Sequence, residues 1–155
     1  MSETYDELAG VVDLFGALTE AELSRALSEL AFKQGRDADA SALDDAVDGA
    51  IAEYYLVEYE REGETLLAPG PVAFPTLPEN AADLPHIMDV PERSIDRAAL
   101  GEAVAKRMLE DAARAAAAGD EERMAHLLDA SYDLEAWAPV EVADVRERLD
   151  AALQD

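Results

Sequence analysis

The fold is decided by residues 43–71, which read LDDAVDGAIAEYYLVEYEREGETLLAPGP. The first half of this stretch predicts a helix, because its apolar residues recur about one helical turn apart. Those residues are Leu43, Val47, Ala50, Ile51 and Tyr54. From Tyr55 the residues become β-branched, aromatic and alternating, which predicts a strand over 55–59. Gly63 then predicts a turn, and residues 65–68 predict a returning strand that is closed by Pro69. The stretch therefore predicts a helix that leads directly into a β-hairpin.

Two further helices are predicted before this stretch. Thr4 with Glu7, and Thr19 with Glu22, have the spacing of the capping boxes that open helices. The first predicted helix buries Leu8, Val11, Val12, Phe15 and Leu18. The second buries Leu23, Ala26, Leu27, Leu30 and Ala31. Both sets follow the spacing of a helix with one apolar side, so we expect three helices and a hairpin in the N-terminal part.

Residues 72–93 contain several prolines and predict an irregular connecting segment. We expect this segment to pack in places through its apolar residues Phe74, Leu77, Leu84 and Ile87. Beyond it, periodicity predicts helices at about 94–118, 120–132 and 140–153, and the short turns between them favour antiparallel packing. The predicted organisation has three parts, which are residues 1–71, 72–93 and 94–155.

Three short helices followed by a two-stranded hairpin resemble a winged helix-turn-helix domain, and the resemblance covers about residues 5–71. The best match is the stretch from Leu43 to Pro71, with the hairpin as the wing. The whole chain also resembles an uncharacterised domain family from halophilic archaea. We therefore predict a mainly α (α+β) fold, with a winged-helix-like N-terminal part and a C-terminal antiparallel helical part. Another small α+β domain with the same element order is the alternative.

The composition indicates where the protein works. The chain carries 36 Asp and Glu against 12 Lys and Arg, a net charge of -24. It resembles in this the cytosolic proteins of halophilic archaea, since at molar salt the Debye length falls to about 3 Å and carboxylates hardly repel. There is no cysteine, which excludes disulfides and thiolate chemistry. No apolar run approaches the roughly 20 residues of a membrane span. We expect a cytoplasmic protein.

The resemblance to winged helices implies DNA binding, with the third helix in the major groove. The outward face predicted for that helix carries Asp44, Asp45, Asp48, Gly49 and Ala52. Reading bases or phosphates needs amide or cationic side chains, which this face lacks. The basic residues available for phosphate contact are Arg25, Lys33, Arg36 and Arg61. We therefore predict a non-enzymatic protein-interaction or dimerising module, in which Gly49 and Ala52 leave space for a partner's side chain. A transcription regulator that binds DNA is the alternative.

No catalytic, cofactor or metal motif stands out in the sequence. Asp37, Asp39, Ser41, Asp45 and Asp48 match several positions of a calcium loop, but Ala42 replaces its glycine, so we predict no metal site. We also expect no cofactor and no small-molecule ligand. The long C-terminal helix is rich in alanine, which allows close helix approach. Either the chain's own last helix or a second protomer is expected against it, so a homodimer is a further hypothesis.

Overall fold

The computed structural model describes residues 2–33, 35 and 40–154. The described residues form seven α-helices, one 3₁₀ turn and one two-stranded antiparallel sheet, which confirms the predicted mainly α class. The helices and strands follow in the order α1 (Ser2–Phe15), α2 (Glu20–Lys33), α3 (Ala40–Ala52), β1 (Leu56–Arg61), β2 (Glu64–Pro69), the 3₁₀ turn Ala81–Asp83, α4 (Leu84–Ile87), α5 (Arg97–Ala118), α6 (Glu121–Trp137) and α7 (Ala143–Gln154). The chain divides into two compact units, Met1–Ile95 and Asp96–Asp155.

The core of the first unit is built mainly on α1. Its buried residues Leu8, Val12 and Phe15 meet apolar residues from α2, α3 and the hairpin in one cluster. Burying each large aliphatic or aromatic side chain contributes about 1.5–3 kcal/mol relative to exposure. The order of three helices followed by a hairpin agrees with the predicted winged-helix-like layout.

The first helix differs from its prediction at both ends. It begins at Ser2, so Thr4 lies inside the helix and the predicted Thr4–Glu7 capping box is wrong. It ends at Phe15, because Gly16 adopts a left-handed conformation with φ 85°. Leu18, predicted as the last apolar residue of this helix, lies instead in an extended segment that pairs with Leu67 of β2. The Thr19–Glu22 capping box at the start of α2 is confirmed by reciprocal hydrogen bonds of 2.9 and 3.1 Å.

The hairpin is closed by a tight two-residue turn. Arg61 is paired with Glu64, and the intervening Glu62 and Gly63 have φ values of 52° and 83°. Positive φ at both central positions is the geometry of a type I′ turn, which matches the natural twist of paired strands. This close pairing fixes the register along the whole hairpin, from Leu56 opposite Pro69 to the turn.

The proline-containing segment 72–93 lies within the first unit, and its start is hydrogen-bonded to α1. The backbone N–H groups of Phe74 and Thr76 donate to the side chain and the carbonyl of Asp6. Gly10 of α1 lets the backbone of Thr76 approach closely, because a β-carbon there would overlap it. Leu84 is buried as predicted.

The other predicted anchors of this segment are exposed. Phe74 is 81% exposed, Leu77 49% and Ile87 52%, so the prediction that these side chains pack is wrong. Backbone hydrogen bonds to Asp6 hold the start of the segment instead. The buried side chains that replace them are Ala81 and Met88.

Arg93 ties the end of the first unit to the α1–α2 turn. Its guanidinium forms an ion pair with Glu22, with nitrogen–oxygen distances of 2.7 and 3.3 Å, and also donates to the carbonyl of Ala17. Its backbone N–H donates to the carbonyl of Phe15. The side chains of both ion-pair partners are less than one-fifth exposed. Partial burial raises the pKa of Glu22, but the hydrogen bonds from Arg93 and Thr19 outweigh it, so the pKa lies below its ordinary value.

The second unit is an antiparallel bundle of α5, α6 and α7. Asp96 caps α5 by accepting from Ala99 N–H, and Asp120 caps α6 by accepting from Arg123 N–H. Gly119 ends α5 in a left-handed conformation. Gly101 of α5 is buried, since a β-carbon there would overlap Ala138. The ring of Trp137 lies 4.6 Å from the guanidinium of Arg97.

We expect Glu22→Gln to lower the free energy of unfolding by about 2 kcal/mol at neutral pH, because a partly buried charged hydrogen-bond network is lost while the amide can still cap α2. Because the pKa of Glu22 is lower in the folded protein, its carboxylate stabilises the fold at pH values above its ordinary pKa of 4.5. That contribution disappears as the pH falls through the lowered pKa. The difference between wild type and variant, measured by urea unfolding, should therefore shrink below about pH 4.

The matched control is Glu29→Gln, which neutralises an exposed carboxylate on the same helix. We expect it to change the free energy of unfolding by less than about 0.5 kcal/mol. A Glu22→Gln effect that is independent of pH would contradict the assigned ion pair.

Candidate functional site

The exposed side of α3 is acidic along most of its length. Asp44, Asp45, Asp48 and Ala52 are exposed, whereas Val47 and Ala50 are buried in the core. The spacing of these residues by three and four positions places them on one side of the helix. Four of the five residues predicted for the outward face thus lie on it.

Gly49, the fifth predicted residue, does not leave a free space for a partner. It faces the first helix, and a β-carbon at this position would overlap the hydroxyl of Tyr5. Tyr5 is 8% exposed, and its ring lies 5.2 Å from that of Tyr55. Gly49 is therefore needed for internal packing between α1 and α3, and the prediction that it is open to a partner is wrong.

We expect Gly49→Ala to destabilise the protein by about 1–3 kcal/mol, because the Tyr5 ring must move out of a packed position. Tyr5→Phe removes the overlapping oxygen, so the double variant Tyr5→Phe/Gly49→Ala should recover part of this loss. Urea unfolding of the two single variants and the double variant gives the coupling. Ala52→Leu, on the exposed side, is the control and should change stability by less than about 0.5 kcal/mol. Strict additivity of the Tyr5 and Gly49 effects would show that the two residues do not meet.

Two carboxylates from other elements join the acidic side of α3. Burial raises the pKa of Glu20, the first residue of α2, and the charges of Asp44, Asp48 and Glu58 raise it further. Glu58 lies on β1. We call the set Glu20, Asp44, Asp48 and Glu58 the acidic face. The residues of the acidic face come from α2, α3 and β1, and their negative charges repel one another.

Sequence reasoning missed Glu20 and Glu58. The alternation of β1 puts Glu58 on the same side of the strand as Leu56, which is buried in the core against the helices. That alternation was a usable signal for Glu58. For Glu20 there was none, because its position beside α3 depends on how the α1–α2 turn packs.

We expect the pKa of Glu20 to fall when its neighbours lose their charge. Side-chain NMR titration of Glu20 should show a raised pKa in wild type and a lower one in Asp48→Asn, because a like charge nearby disfavours ionisation. About 2 M KCl should also lower it, since screening weakens the same repulsion. Glu29→Gln is the control, because Glu29 is not among the charges that act on Glu20. An unchanged titration in Asp48→Asn would separate Glu20 from the acidic face.

Of the basic residues predicted for phosphate contact, Lys33 and Arg61 have partners that are not part of the acidic face. Lys33 lies 3.9 Å from Asp83. Arg61 donates to the carbonyl of Ser94 over 2.9 Å and lies on the opposite side of β1 from Glu58, three residues away. Arg25 is exposed on α2. Arg36, together with Asp37 and Asp39 of the calcium-loop pattern, lies outside the described residues. Lys33 and Arg61 therefore have partners away from α3.

A polar cleft of about 260 Å³ lies on the other side of the hairpin. It is lined by Arg61, Glu62, Glu64, Leu66, Glu92, Arg93 and Ser94. Both arginines already bind groups of the protein itself, the first Ser94 and the second Glu22. The bond from Arg61 joins the hairpin to residues 92–94, and the three carboxylates on the walls of the cleft disfavour an anionic ligand there.

Among the described residues, no group of three or more His, Asp or Glu side chains has the geometry to hold a metal ion. In the same part of the chain, no helix is both long and apolar enough to cross a membrane.

Comparison with known proteins identifies the family of the chain. Residues 6–154 match the profile of a family of unknown function, DUF7109, and the chain belongs to that family. Searches of curated proteins and of solved structures gave no match.

Proposed function

We propose that this DUF7109 protein is a non-enzymatic protein-interaction module of winged-helix type that works in the cytoplasm of a salt-adapted cell. The observation that carries the proposal is the acidic face, where carboxylates of α2, α3 and β1 converge around the exposed side of α3. Among the described residues, the charged side chains on the exposed side of α3 are all carboxylates, and we infer that this surface is what a partner meets.

The acidic face disfavours nucleic acid as the partner. Most of the affinity of proteins for DNA comes from cations that replace the counterions of phosphates. A surface that places Asp44 and Asp48 beside Glu20 repels phosphates at low salt. Molar salt screens that repulsion but also removes the gain from counterion release, so no net attraction results.

The acidic face favours a partner with cationic side chains. Carboxylates that face one another raise each other's energy, and an opposing Lys or Arg relieves this repulsion. A second copy of the chain bound through the same face would place carboxylates against carboxylates, because a two-fold interface uses one surface twice. We therefore propose that a basic protein binds the acidic face and that a homodimer, if one forms, uses a different surface.

The second candidate function is a DNA-binding transcription regulator. The order of three helices and a hairpin favours it, because that order is shared with DNA-reading winged helices. In that case Arg25 and Arg61 would carry phosphate contacts.

We expect fluorescein-labelled oligolysine to bind the protein at about 0.2 M KCl and the double variant Asp44→Asn/Asp48→Asn to bind it about tenfold more weakly, since two exposed charge pairs at about 0.7 kcal/mol each are lost. Fluorescence anisotropy measures both titrations. Labelled duplex DNA should not bind at this salt concentration or at about 2 M KCl. Light scattering on the same samples gives the oligomeric state.

The matched control is Glu7→Gln/Glu29→Gln, which removes two exposed carboxylates elsewhere and leaves the acidic face intact. Equal weakening by both double variants would mean that only the overall charge attracts the peptide, and the proposal would fail. Saturable DNA binding that Arg25→Gln/Arg61→Gln abolishes would replace it with the regulator.

A further inference from the structure

The pairing of β2 determines which backbone groups of the hairpin point outwards. Leu67 exchanges hydrogen bonds of 3.0 and 2.7 Å with Leu18, on the side of β2 away from β1. In an antiparallel ladder, a residue whose N–H and C=O point away from its neighbour is opposite a residue that does the same. Leu67 is opposite Glu58, so the N–H and C=O of Glu58 point away from β2.

The same alternation holds two residues further along the strand. Glu60 is opposite Thr65, and its backbone groups also point outwards. The hydrogen bond from Gly70 N–H to the carbonyl of Tyr55 fits this register. Tyr55 directly precedes Leu56, so the backbone groups of these two residues point to opposite edges of the strand, and those of Tyr55 point towards the returning chain. Within the described part of the chain, no hydrogen bond engages the outward backbone groups of Glu58 or Glu60. The outer edge of β1 is thus open.

An open strand edge is a template for another strand, and proteins protect such edges with charge. Here the charge has one sign. Glu58 and Glu60 are exposed along the edge, and Glu58 lies among the carboxylates of the acidic face. These carboxylates repel an acidic or phosphate-bearing ligand and attract a basic one. The free backbone groups of this edge suit an extended strand, and its carboxylates suit cationic side chains. An extended segment with cationic side chains has both properties.

We propose that the free edge of β1 binds an extended, Lys- or Arg-rich segment of a partner protein as an added β-strand. This inference rests on the proposed function and specifies how the partner binds. Main-chain hydrogen bonds to Glu58 and Glu60 supply affinity, and alternate cationic side chains face the carboxylates of the acidic face. A second copy of β1 is a poor occupant, because pairing two such edges would place Glu58 and Glu60 of each copy opposite like charges.

The probe is a capped peptide of about eight residues that alternates Lys and Thr, which matches the length and period of a short strand. Hydrogen exchange of the uniformly labelled full chain is measured by NMR with and without saturating peptide. We expect exchange at the Glu58 and Glu60 amides to slow at least about tenfold, because they gain hydrogen-bond acceptors. The Tyr59 amide, which already pairs with β2, is the internal control.

Two variants separate the strand edge from its charge. Glu58→Gln removes a charge but keeps the N–H, whereas Glu58→Pro removes both and leaves the pairing of β1 with β2 intact, because proline is tolerated where the N–H of an edge strand faces solvent. We expect the proline variant to bind the peptide at least about tenfold more weakly than the glutamine variant. Urea unfolding confirms that both variants are folded.

The outcomes distinguish the binding mode from the proposed function. If the peptide binds, and Asp44→Asn/Asp48→Asn weakens it, but the amides of Glu58 and Glu60 are not protected, then the added strand is wrong while the acidic face stands. Equal binding by the proline and glutamine variants would also overturn the added strand. If no peptide binds, both proposals fail.

Discussion

The carboxylate of Glu22 holds together the part of the first unit on which the hairpin depends. It accepts from the N–H of Thr19 at the start of α2 and from the guanidinium of Arg93, which also donates to Ala17. These bonds fix the turn between α1 and α2, and that turn contains Leu18, which pairs with β2. Because Leu18 occupies the outer edge of β2, the edge of the hairpin that the described residues leave open is the one at β1. The geometry of the proposed interaction surface thus depends on the ion pair between Glu22 and Arg93.

Cations are scarce in this chain, and the structure uses several of them internally. Arg93 binds Glu22, and in the second unit Arg146 binds Glu135 and lies over the ring of Tyr132. Arg97 is similarly placed over Trp137. Carboxylates greatly outnumber cations in the sequence, and in the part of the chain that the structure describes the exposed side of α3 stays acidic. In water of low ionic strength that repulsion opposes folding, whereas at molar salt it is screened within about 3 Å.

The elements and many of their ends could be predicted because their signals are local. A capping box marks the start of α2, Asp120 caps α6, and Gly119 ends α5 through its freedom to adopt a positive φ. Predictions failed where a residue's surroundings come from distant parts of the chain. Leu18 has helical spacing, yet it lies after Gly16 and pairs with a strand about fifty positions away. Phe74 and Leu77 are apolar, but the backbone of their segment is what binds α1.

The candidate site also combines features that follow from local sequence with features that depend on packing between distant parts of the chain. The acidic composition, the helix–hairpin order and the exposed side of α3 could be predicted from the amino-acid sequence, because charge is additive and helical and strand periodicities are local. Three other features come from the packing of separate elements: Gly49 packs against Tyr5, Glu20 and Glu58 join Asp44 and Asp48, and the outer edge of β1 is open. Each of these depends on how close separate elements pack, and the distance between elements is set by the whole core, which no short stretch of sequence contains.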